Sequence, residues 1–134
     1  MKGLLVVGLQ HGAGEGSVAA ALAAVLRRTG TAARAQKILE YDTTASPIIA
    51  ARHAGDQIDP AAVAAALRDD AEAVVVAAPG GVLAPLTHSY SLRDLATDLH
   101  LPVVLAAPAT ADATNLVRLS LAAARAGRVT VAAV

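Results

Sequence analysis

The chain has 134 residues, 55% of them hydrophobic, and its 11 basic side chains balance 11 acidic ones. That is apolar material for one domain with its own core and too little chain for a second, so a single domain is expected over residues 1–134. Zero net charge without a basic stripe or aromatic ladder argues against a nucleic-acid partner, and the absence of cysteine excludes disulfides and thiolate metal sites. No charged and then apolar leader opens the chain and no stretch is long enough to span a membrane, which points to a soluble, cytoplasmic protein. Alanine makes up about a quarter of the residues while Phe and Trp are absent, so the core must be closely packed layers of Ala, Val and Leu.

In chain order, Gly3 to Val7 is a short apolar run that ends in a glycine-rich loop. Ser17 to Arg28 follows with helical spacing of Val18, Leu22, Val25 and Leu26, closed by Gly30. Ala32 to Leu39 reads as a second strand carrying Lys37 near its end, and Tyr41 to Ser46 as a polar connection. Pro47 opens a short helix to His53, and Pro60 another through Leu67 and Arg68. Glu72 to Ala78 is a continuous apolar run of the kind a buried parallel strand shows, broken by Pro79-Gly80-Gly81 into a loop that reaches Tyr90. Ser91 is placed to cap a helix through Leu99, Pro102 to Ala107 is another strand, Asp112 is placed to cap a helix ending at Gly127, and Arg128 to Val134 is the last strand. This alternation predicts an α/β fold, a three-layer parallel sheet.

Ligands of such sheets bind beyond the carboxyl ends of the strands. Four loops meet there: Gly8 to Gly16, Lys37 to Ser46, Pro79 to Tyr90 and Ala107 to Asp112. The first has the glycine skeleton of a phosphate-binding loop, in which backbone N–H groups at a helix N-terminus cradle phosphate, a lysine neutralises it and a hydroxyl holds Mg²⁺. Here Glu15 takes the lysine position and Gly16 the hydroxyl position. A carboxylate is favourable at a helix N-terminus but repels a triphosphate across a few ångströms.

Taken in order, these segments resemble the dethiobiotin synthetase family of P-loop proteins. The family's G-T-D-T-G-V-G-K-T loop falls on Gly8 to Gly16, its K-P-V-x-T/S-G segment on Lys37 to Asp42, and its E-G-A-G-G-x-x-x-P-L segment on Ala77 to Leu86, retaining Gly80, Gly81, Pro85 and Leu86. Its L-x-D-L-A and L-x-L-P-V-V-L stretches are similar to Leu92 through Leu105. The resemblance implies a truncated P-loop fold, a homodimer with substrate at the subunit boundary, and a substrate-facing Lys37. The departures remove the family's ATP and Mg²⁺ groups, since Ala77 also stands where the metal-binding glutamate would be, and phosphoryl transfer consists of little besides that positioning and charge. No cofactor is therefore expected.

What the ligand-side loops do carry is proton-transfer groups. The candidate catalytic residues are His11, Glu15, Lys37 and His88. The candidate substrate-binding residues are Gly12, Gly14, Tyr41, Gly80, Gly81, Thr87 and Tyr90. Tyr41 and Tyr90 are the only aromatic side chains, and Lys37 is one of two lysines. Glu15 serves either to orient His11 or simply to decorate the helix N-terminus. His53 and His100 read as surface residues, no paired-histidine spacing marks a metal site, and Ser17 and Ser46 lack a nucleophile elbow. The expected function is acid/base chemistry without ATP or metal, such as isomerisation, cyclisation or elimination of a small organic molecule in secondary metabolism. A non-catalytic small-molecule binder and a residual role in biotin synthesis remain open beside it.

Overall fold

A computed structural model of the protein describes residues 2–68 and 71–134; Met1, Asp69 and Asp70 lie outside the described residues. The order of elements is β1 (Gly3–Gly8), α1 (Glu15–Arg28), β2 (Ala33–Lys37), α2 (Pro47–His53), α3 (Pro60–Leu67), β3 (Ala73–Ala78), α4 (Leu92–Asp98), β4 (Val103–Ala106), α5 (Ala113–Ala126) and β5 (Val131–Ala133). All strand pairs are parallel, in the order β2-β3-β1-β4-β5.

Successive side chains of a strand point to opposite faces, so a central strand covered on both sides must be apolar throughout. β3 meets that condition with all six residues buried. One face carries α1: Val6, Val75 and Ala77 pack against Ala19 and Ala23, whose small side chains let the helix approach closely. The other face carries the remaining helices, with Leu5, Val7, Val74 and Val76 against Ala51 of α2, Leu67 of α3, Leu92 and Leu95 of α4, and Ala124 of α5. The three-layer parallel fold expected from the alternation is the fold observed.

Element boundaries differ from the sequence reading where backbone geometry intervenes. α1 begins at Glu15 instead of Ser17, because Gly14 turns the chain into the helix from φ 83°. β2 stops at Lys37, and two residues on Leu39 sits at φ 60°, outside extended backbone. β5 cannot start at Arg128, which has φ 56°. Asp112 makes no cap: its side chain has no capping bond and its backbone is already helical. Ser91 does anchor α4, its amide and hydroxyl donating to Asp94 Oδ2 at 2.7 and 2.6 Å. Among the described residues no helix is long and apolar enough to cross a membrane.

The topology places a crevice at one end of the sheet. β1 runs into α1 on one face, whereas the chain after β3 leaves toward α4 on the other, which opens a crevice between the carboxyl ends of two adjacent strands.

Candidate functional site

The floor of the crevice is the loop between β1 and α1. Its base is pinned from both sides: the Gly81 amide donates to the Gly8 carbonyl at 2.9 Å, and the Leu9 amide to the Ala106 carbonyl at 2.9 Å. Gly12 at φ 75° and Gly14 at φ 83° supply the left-handed turns that aim the chain into α1, a conformation other residues adopt only under strain.

Two side chains lie across this loop. The Glu15 carboxylate folds back over Gly8, so closely that a Cβ at Gly8 would fall 2.4 Å from Glu15 Oε2. Lys37 extends from the end of β2 over Gly16, where a Cβ would fall 2.6 Å from Lys37 Cε. Both glycines thus make room for a charged side chain. Lys37 Nζ is 3.5 Å from Glu40 Oε1, and its side chain is 60% exposed, open to a ligand from the crevice side.

The crevice has two chambers. One, of about 330 Å³, is lined by the loop glycines, Ser17, Lys37 and Ala77; the other, of about 420 Å³, by Tyr41, Thr43, Thr44, Ser46, Pro47 and Gly80. His11, Glu15, Glu40 and Pro79 line both. A base and two carboxylates therefore stand at the junction, with a cation on one side and a hydroxyl-rich wall on the other. Tyr41 is held by a hydrogen bond from its hydroxyl to Asp56 Oδ2 at 3.1 Å. Burial, that bond and the Asp56 charge push its phenol above the ordinary value. Gly80, at φ 99°, lets Pro47 close the wall: a Cβ there would be 3.1 Å from Pro47 Cδ.

Of the residues expected to meet here, the fold gathers His11, Gly12, Gly14, Glu15, Lys37, Tyr41 and Gly80. Gly81 serves from beneath, through its amide on Gly8. The other three lie elsewhere, a correction to the expected placement. Buried Leu86, 1% exposed, anchors the middle of the loop after β3, and the Leu86 and Thr87 amides both donate to the Tyr90 carbonyl, folding the segment back on itself. Thr87 and His88 consequently face a separate cleft beside α2, where His88 Nε2 is 3.3 Å from Arg52 Nη2. Tyr90 points to a third cleft, its hydroxyl donating to Asp98 Oδ2 at 2.6 Å; burial, that bond and the neighbouring carboxylates Asp98 and Asp94 push its phenol strongly upward, against a smaller opposing effect of Arg68. The sequence reading did not single out Glu40, although its spacing of three from Lys37 was available as a sign, nor the Thr43, Thr44 and Ser46 wall. Among the described residues no three His or carboxylate side chains converge on a metal position.

A parallel sheet of this strand order, with a glycine loop running from its first strand into a helix at the crevice, defines a P-loop-type α/β protein. A family profile described as an AAA domain matches residues 33–134. ATP-dependent dethiobiotin synthetase of Rhodopseudomonas palustris (strain BisA53) is 41% identical over 104 residues, covering 76% of this chain and 48% of that protein. The enzyme of the same name from Aromatoleum aromaticum (strain DSM 19018 / LMG 30748 / EbN1) is 46% identical over 66 residues, 47% of this chain and 29% of that protein. The chain belongs to this AAA-domain family and is dethiobiotin-synthetase-like within it. It spans half or less of the length of the curated relatives it matches.

Proposed function

We propose that the crevice performs acid/base chemistry on a small organic molecule bearing an anionic group, without nucleotide or metal. The observation that carries this reading is the junction of the two chambers, where His11 and Glu15 face both and Lys37 lies to one side. Lys37 and the amides at the start of α1 would hold the anion in the smaller chamber, and the body of the molecule would lie against Tyr41 and the Thr43–Ser46 wall. A neutral imidazole at His11 would then accept a proton from the carbon or heteroatom at the junction and return it to a neighbouring atom, with Glu15 stabilising the imidazolium between the two steps. No redox change and no co-substrate is involved in such an isomerisation.

The residues do not fit the triphosphate and Mg²⁺ that the family would use. The lysine position holds Glu15, whose carboxylate occupies the space over Gly8, the hydroxyl position holds Gly16, and Ala77 replaces the metal carboxylate. The Glu15 charge opposes a multiply charged triphosphate far more than a singly charged organic carboxylate, whose one charge Lys37 can balance. Within the same proposal the chain works as a homodimer, which the outward apolar residues of α5 support: Leu119 is 61% exposed and only Ala124 of that helix is buried.

The test is a calorimetric screen of small carboxylate-bearing metabolites, in which a hit must lose at least about tenfold in affinity in Lys37→Gln and its turnover in the double variant His11→Ala and Glu15→Gln. Turnover unchanged in the double variant removes the acid/base assignment. A second reading is dethiobiotin synthesis itself, favoured by the names of both relatives and by retention of Lys37; MgATP-dependent formation of dethiobiotin by the chain would establish it.

A further inference from the structure

Beside α2, on the far side of the loop wall, a small cleft of about 110 Å³ shares no lining residue with either chamber of the crevice. Its apolar lining is Ile48 and Ala51 of α2 together with Ile58 and Leu86, and its polar lining includes Arg52, Thr87 and His88. A guanidinium is permanently charged and can only donate, so the 3.3 Å contact between Arg52 Nη2 and His88 Nε2 is a hydrogen bond with Arg52 as its donor. That bond uses one of the donors of a five-donor fork. Among the described residues Arg52 has no carboxylate partner.

Asp56, the acidic residue of the lining, keeps its charge and opposes an anion, but both its oxygens are turned to other donors: its Oδ2 accepts from the Tyr41 hydroxyl at 3.1 Å and its Oδ1 from the Gln57 amide at 2.7 Å, which leaves Arg52 as the group free to meet a ligand. The Thr87 hydroxyl oxygen accepts from the Ser89 amide at 3.3 Å, which leaves its own proton to donate. A cation with spare donors and a hydroxyl donor thus stand over apolar side chains, a complement to a carboxylate on a short hydrocarbon tail. Size narrows the class. A cavity of about 150 Å³ holds a benzene-sized guest, so this one accepts a tail of about two to four carbons.

We propose that this cleft is a binding site for short-chain aliphatic carboxylates, with the carboxylate on Arg52 and Thr87 and the tail against Ile48, Ile58 and Leu86. The proposal is independent of the chemistry assigned to the crevice. It also gives Thr87 and His88 a role after the fold has separated them from His11 and Lys37.

The test titrates the 134-residue chain with sodium butyrate, followed by calorimetry and by NMR of the histidine and threonine side chains, with n-butylamine and 1-butanol as controls. The expected result is saturable binding in the millimolar range, shifts at His88 and Thr87 with His11 unmoved, and weaker binding of both controls. Arg52→Gln should weaken butyrate at least about tenfold, and Thr87→Val by a smaller factor. Arg52 is exposed, so the variant should keep the histidine and methyl spectrum of the folded chain. Four results would each overturn the site: no saturation into the tens of millimolar, butylamine binding as well as butyrate, shifts confined to His11, or undiminished affinity in folded Arg52→Gln.

Discussion

Adding one methyl group at Gly8 tests the placement of the Glu15 carboxylate. In Gly8→Ala the new Cβ falls 2.4 Å from Glu15 Oε2 and 2.8 Å from its Cδ. Those atoms are the far end of a flexible side chain, so the carboxylate swings away at a rotamer cost of about 0.5–1.5 kcal/mol. Restricting the unfolded chain returns about 0.4–1 kcal/mol. The net change stays within about 1 kcal/mol, or about 4 °C in Tm for a chain of this size. Gly3→Ala is the control, because its Cβ would fall 2.1 Å from the Val74 carbonyl oxygen, backbone of the adjacent strand that cannot yield. There the overpacking cost lies at the upper end of about 1–3 kcal/mol, and less the same return the net loss is about 2 kcal/mol, lowering Tm by about 8 °C. Thermal melts by circular dichroism compare the two, with the His11 side-chain resonance reporting the displaced carboxylate in Gly8→Ala. A Gly8→Ala melt as low as that of Gly3→Ala, with His11 unmoved, would mean that Glu15 does not lie over Gly8 and would remove the geometric basis of the site.

The two tyrosines are the only aromatic side chains, so a spectrophotometric titration should show both ionising above 10.0, with Tyr90 last. Because the folded values are raised, the folded chain holds these protons longer than the unfolded chain, and stability should fall as pH rises beyond 10; Tyr90→Phe should flatten that decline, and an unchanged alkaline limb would contradict it. At the acid end, burial alone would raise the Asp94 carboxyl, but the hydrogen bonds from the Ser91 hydroxyl and amide, with the Arg93 charge, outweigh it and hold it below 3.8. Its contribution is present above that value and is lost as pH falls through the lower folded value. Asp94→Asn should cost about 1 kcal/mol near neutrality and remove that part of the acid transition in a pH series of melts.

The strands and helices were legible because each carries a signal that the fold does not override: the continuous apolar run of Glu72–Ala78, the prolines at Pro47 and Pro60, and the spacing of Val18, Leu22 and Leu26. The placement of the candidate residues nearest the strand ends was legible for a related reason. Residues immediately after a parallel strand have little freedom, so His11, Glu15 and Lys37 had to lie at the crevice. Thr87, His88 and Tyr90 stand nine to twelve residues beyond the end of β3, and their direction is decided by the burial of Leu86 and the amide bonds onto Tyr90. The burial of Leu86 is a matter of tertiary packing, and the amide bonds close a local turn that no spacing pattern in the sequence announces. Glu40 was overlooked because a charged residue in a polar connection looks like a solvated one, and only the path of Leu39 at φ 60° brings it back toward Lys37.

The most direct measurement is a calorimetric titration of MgATP into the 134-residue chain. No saturable heat is expected at concentrations up to about 1 mM, a threshold of about −4 kcal/mol, because Glu15 stands at the position of the loop lysine and occupies the space over Gly8. Binding of MgATP tighter than about 1 mM would contradict that expectation and return the crevice to nucleotide chemistry.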